Sequence, residues 1–81
     1  MNTTTKKMSN ADLDAYVRRQ SLFYTTDGVC VSSFMLHDEL LAGGLKVGRA
    51  RITRSLRALV KEGVLVQVTP YHFGAPEIIP R

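Results

Sequence analysis

The chain has 81 residues, 44% apolar and 22% charged, and its eleven Lys and Arg against seven Asp and Glu give a formal charge of +4. That length suits one small domain and excludes two. A domain of this size buries only about 60% of the surface its unfolded chain exposes, which argues against a deep pocket around a large cofactor. The lone Cys30 cannot form an internal disulfide and fits a reducing compartment. Together with His37 and His72 it does not reach zinc-ligand spacing. No apolar run approaches the roughly 20 residues of a membrane helix. No apolar core follows Lys6 and Lys7, so a secretory signal is not expected. The expectation is a soluble, cytoplasmic, non-enzymatic domain with no cofactor and no metal.

In chain order, residues 1 to 8 are polar and aperiodic and read as a mobile arm, with the domain spanning 9 to 81. Ser9 or Asn10 can cap a helix whose first turn carries Asp12 and Asp14. Leu13, Tyr16, Val17 and Phe23 recur at helical spacing, which predicts a helix from about 10 to 23. Thr25-Thr26-Asp27-Gly28 is turn chemistry, and Val29-Cys30-Val31 is a short strand in which Cys30 reads as a small buried hydrophobe. A redox-sensing thiol would instead need exposure beside a cation. Ser32 and Ser33 offer a second N-cap to a helix from about 33 to 42, with Met35, Leu36, Leu40 and Leu41 as its apolar stripe. Its His37, Asp38 and Glu39 read as solvent-facing, since nothing in the sequence converges on them. Gly43-Gly44 ends that helix at a cost of about 2 kcal/mol relative to alanine. This glycine pair followed by Lys46 lacks phosphate-loop spacing.

A third helix starts at Val47 or Gly48 and runs to about Glu62, where Gly63 stops it. Val64 to Thr69 reads as a strand, Pro70 to Pro76 as a loop, and Glu77 to Ile79 as a short returning strand. This loop contains no Lys or Arg. Its Tyr71 and His72 carry groups that can hydrogen-bond, Tyr71 and Phe73 are expected to pack under the hairpin, and Arg81 lies beside it or frays.

The third helix concentrates the charge. Lys46, Arg49, Arg51, Arg54, Arg57 and Lys61 supply six of the eleven basic residues within sixteen positions. At about 100° per residue, Ile52, Leu56 and Leu59 share a narrow arc, while Arg54, Arg57 and Lys61 fall on the opposite face. Thr53 and Ala50 leave that outward face small near its start. Arg can donate two hydrogen bonds to a guanine edge, and Thr can meet a base edge or a thymine methyl. Long basic side chains reach the flanking phosphates. The plainer alternative is a solvated cationic face.

The run Leu41-Ala42-Gly43-Gly44-Leu45-Lys46-Val47-Gly48-Arg49-Ala50-Arg51-Ile52-Thr53-Arg54-Ser55-Leu56-Arg57-Ala58-Leu59-Val60-Lys61-Glu62-Gly63-Val64-Leu65 resembles the core of bacterial winged helix-turn-helix transcription regulators of the GntR and MarR types. In size and element order the chain is also similar to small fimbrial-operon and phage regulators. The resemblance implies an α+β fold, a small winged helix-turn-helix with three helices and a short β-hairpin wing, whose third helix enters the major groove. Carried over by position, Gly48 is the N-cap and Arg49, Ala50, Thr53 and Arg54 face the bases. Lys46, Gly48, Arg51, Arg57 and Lys61 meet phosphates, and Leu41, Leu45, Val47, Ile52, Leu56 and Leu59 are core. The chain departs from the pattern in three respects. Lys46 replaces the turn glycine, so either Lys takes positive φ or the turn has another shape; Gly43-Gly44 replaces helical residues; and Gly48 replaces a Ser or Thr.

The implied function is sequence-specific binding of double-stranded DNA by a transcription regulator. Expected partners are DNA and either another regulatory protein or a second copy of the chain, with no small-molecule effector and no membrane. The alternative is a protein-binding winged helix without a DNA role, such as a phage- or plasmid-encoded inhibitor or assembly factor.

Overall fold

The computed structural model describes residues 8–76. Helix α1 spans Asn10–Thr26, strand β1 Val31–Ser32, α2 Ser33–Ala42, α3 Arg49–Lys61, β2 Val66–Thr69 and β3 His72–Gly74. The three strands form one antiparallel sheet in the order β1-β3-β2. Helix α3 packs against both α1 and α2. This is an α+β domain, a helix-turn-helix followed by a hairpin wing. No helix among the described residues is long and apolar enough to cross a membrane.

Side-chain caps set the starts of α1 and α2. Ser9 accepts from the Asp12 amide and Ser32 from the Met35 amide, each at 3.1 Å. Helix α1 outlasts its predicted end by three residues. The Thr25 and Thr26 hydroxyls fold back on the carbonyls of Ser21 and Leu22 at 2.7 Å, so both threonines are satisfied inside the helix. All three helices then close in the same way. In α2 the Gly44 amide donates to Leu41 (3.0 Å) and the Leu45 amide to Leu40 (2.8 Å), a paired closure around a left-handed residue. Gly44, at φ +85°, supplies that residue, and no non-glycine among the described residues has positive φ. Lys46 is therefore not the strained residue of the turn. The doubled glycine moves the left-handed position two residues earlier.

The core is continuous across all layers: Leu13 and Val17 from α1, Val31 from β1, Leu36 and Leu40 from α2, Ile52, Leu56 and Leu59 from α3, with Val47, Leu65 and Phe73. Several expectations are corrected here. The buried face of α1 runs Leu13, Val17, Ser21, Thr25 at four-residue spacing, so its second half is polar and Phe23 lies outside it, 61% exposed. Leu41 is likewise exposed, because Ser33, Leu36 and Leu40 define the buried face of α2 and Leu41 is rotated about 100° from Leu40. Cys30 precedes β1 and is exposed. Met8, assigned by sequence to a mobile arm, packs partly buried against the core. Residues 1–7 of that arm, the expected strand at 77–79 and Arg81 lie outside the described residues.

The wing also differs. His72–Gly74, read as loop, is the central strand of the sheet, with Phe73 opposite both Val31 and Gln67. The local cause is Thr69. Its hydroxyl accepts from the Tyr71 and His72 amides at 3.2 and 3.1 Å and lies 2.8 Å from His72 Nδ1. The chain thus reverses within Pro70-Tyr71, where proline presets the first turn angle. Phe73 is buried as expected, but Tyr71 sits exposed at the tip and does not pack beneath the hairpin.

Glu39 is the other correction. It does not face solvent: it is half-buried and accepts from Tyr16 (2.8 Å), Gln20 (3.1 Å) and Tyr24, all on α1. Burial alone would raise its pKa, but the hydrogen bonds from Tyr24, Tyr16 and Gln20 outweigh burial and hold the carboxyl below its usual range. Burial first, and Glu39 second, keep the Tyr16 hydroxyl above the ordinary phenol range. A carboxyl depressed on folding contributes stability that is present above its unfolded pKa and lost as pH falls through the folded value. The α1–α2 clamp is therefore expected to weaken on acidification below about pH 4.5. Thermal melts from pH 3 to 7 check this, since Glu39→Gln should remove that part of the acid dependence.

Candidate nucleic-acid interface

Helix α3 is amphipathic in the sense the sequence predicts. Ile52, Leu56 and Leu59 are buried, whereas Arg49, Ala50, Arg54, Arg57 and Lys61 are exposed and Thr53 is half-buried. Gly48 is the N-cap in extended conformation, and no side chain caps the first turn, where the Arg51 amide donates to the Gly48 carbonyl at 3.1 Å. Lys46 is exposed in the turn before it.

The acidic residues are disposed elsewhere. Asp14 accepts from Ser55 between α1 and α3, Glu62 pairs with Arg18 of α1, and Glu39 is occupied by the tyrosines. Among the described residues, no carboxylate lies within ion-pair distance of Lys46, Arg49, Arg54, Arg57 or Lys61. The charge asymmetry of the fold comes from this segregation rather than from the modest net charge.

The predicted contact residues are not gathered at one place. Arg49, Ala50, Thr53 and Arg57 line a cleft of about 410 Å³, closed on its other sides by Ser33 and Phe34 at the start of α2 and by Pro70 and Tyr71 of the wing. Arg57, assigned by resemblance to phosphates, thus stands beside three of the four residues assigned to bases. The fourth, Arg54, lies on the α1 side of the helix, by a smaller hollow of about 240 Å³ that includes Asn10 and Arg51. Arg51 is engaged within the domain, since its guanidinium donates to Met8 O (3.3 Å) and Asn10 Oδ1 (2.5 Å). It ties the start of α1 to α3. His72, in β3, is engaged by Thr69, and Tyr71 reaches the cleft.

Phe34 is the residue that sequence reasoning missed. It is 43% exposed, its ring meets Tyr71 edge-on at 5.5 Å, and the Arg49 guanidinium sits 4.6 Å above it. A guanidinium on a ring face is attracted by the π cloud, which narrows the orientations of the Arg49 side chain. A sequence signal did exist. Phe34 falls off the Leu36–Leu40 stripe, and an exposed phenylalanine at a helix start invites a question about what it serves.

No group of three or more metal-binding side chains occurs among the described residues. Comparison with protein families, curated proteins and solved structures produced no match to this chain.

Proposed function

We propose that the protein binds double-stranded DNA through α3 laid in the major groove and acts as a small transcription regulator. The observation that carries this reading is the outward face of α3. Arg49, Arg54, Arg57 and Lys61 are exposed on it, Lys46 is exposed just before them, and none of the five lies within ion-pair distance of a described carboxylate. Small residues, Ala50 and Thr53, let that face approach base edges, and the wing tip stands beside it. The resemblance of residues 41–65 to winged helix-turn-helix regulators supports the same reading. Because Arg51 is held by Asn10, the electrostatic footprint comprises the other cations of the segment.

Fluorescence anisotropy on a random-sequence duplex tests this. With about four phosphates neutralised, log K against log salt has a slope of about −3.6, so affinity falls by about two orders of magnitude between 50 and 200 mM salt. Absence of binding at the lower salt sinks the reading. The uncharged wing tip with its exposed Tyr71 favours a second one, a domain that docks on another protein. In that case Arg57→Ala leaves nothing to measure on DNA, and Tyr71→Ala weakens the protein complex.

A further inference from the structure

The cleft between α3 and the wing is more than a cluster of cations. Beside Arg49 and Arg57, its lining includes the aromatic residues Phe34 and Tyr71 and the small residues Ala50 and Thr53. A phosphate gains nothing from aromatic carbon, so these walls do not suit the DNA backbone alone. The two rings serve no core, since they remain 43% and 55% exposed. They are braced edge-on against each other, with Arg49 stacked on Phe34. An apolar recess beside the Arg49 guanidinium, with Arg57 free to meet the flanking phosphate, is complementary to one arrangement in the major groove: a guanine edge offering two acceptors, next to the C5-methyl of thymine.

We propose that this cleft is a thymine-methyl site, so that the preferred duplex carries a thymine adjacent to the guanine read by Arg49. The inference rests on the duplex-binding reading above and names the base that its wing side selects. Covering one methyl group is worth about a fourfold change in affinity.

The test begins with a duplex enriched from a randomised pool, resynthesised with deoxyuridine in place of each thymidine in turn. This removes the methyl and leaves base pairing intact. At one position the substitution is expected to weaken binding by the wild-type protein about fourfold. Phe34→Ser should erase that discrimination, while Tyr71→Phe, which keeps the ring, should retain it. Both positions are exposed, so both variants should melt close to wild type, which circular dichroism verifies, and the wild-type comparison needs no variant at all. Tight binding that is indifferent to every deoxyuridine overturns the thymine site while leaving duplex recognition standing. Discrimination that survives Phe34→Ser places the methyl outside this cleft and overturns the assignment. Failure to enrich or bind any duplex at about 50 mM salt removes both readings together.

Discussion

Phe73→Ala is expected to unfold the domain at or near physiological temperature. Phe73 has no exposed surface, is the largest fully buried side chain, and belongs to the central strand, where it faces Val31 and Gln67. Truncating a buried phenylalanine costs about 3–5 kcal/mol, through lost transfer energy and the cavity left behind. A chain of this length has a total stability of about 4–12 kcal/mol at the usual per-residue range, so one substitution removes a large share of it. Urea unfolding followed by circular dichroism measures the loss. Tyr71→Ala, two residues away, is the control. At 55% exposed it holds little of the core and should shift the midpoint only slightly. Equal effects at the two positions would contradict the arrangement of the wing.

The second large effect separates three arginines of one helix, two of which, Arg51 and Arg57, the sequence assigns to the same phosphate-contacting role. Arg54→Ala is expected to cost about 1–3 kcal/mol on the preferred duplex and to relax base preference at one position. Arg57→Ala should weaken binding to all duplexes about equally and reduce the salt slope by about one. Arg51→Ala should leave the slope unchanged and lower the melting temperature instead. Its guanidinium is committed to Met8 O and Asn10 Oδ1, where it links α1 to α3. Anisotropy titrations at several salt concentrations, paired with thermal melts, resolve the three. A drop in salt slope for Arg51→Ala would mean that the intramolecular contact yields to phosphate.

The segregation of charge explains how so small a domain carries a strongly basic helix face. Its modest excess of +4 is not spread evenly. Ser55 with Asp14, Arg18 with Glu62, and the tyrosines with Glu39 draw three of the carboxylates into contacts between helices. The same contacts that dock α1 on its neighbours therefore engage these carboxylates and leave Arg49 and Arg57, at the cleft, without a paired carboxylate. An encounter with an anionic surface is then steered toward that face.

Much of the architecture is written in local chemistry. Ile52, Leu56 and Leu59 lie within one arc of a 3.6-residue period, and that alone orients α3, buries one side and turns the arginines outward. Ser9, Ser32, Gly44 and Gly63 mark helix ends because capping and left-handed φ depend on the residue and its immediate neighbours. The second half of α1 was not legible in this way. Its buried positions are Ser21 and Thr25, so hydrophobicity pointed to Phe23, which is exposed. Strand β3 was hidden for a related reason: it exists because Val31, forty-two residues earlier, pairs with Phe73, and short strands carry little periodicity of their own.

By itself, then, the sequence determined the element order from α1 through β2, the turns at glycine, and a helix with one apolar and one basic face, since each follows from spacing along a single segment. The tertiary structure alone decided which of those cations remain available, that Glu39 would bind three side chains of α1, and that Phe34, Arg49 and Tyr71 would meet at one cleft. Those outcomes join residues from different elements. They depend on the relative placement of helices and wing, which is set by burial of the shared core rather than by any local preference.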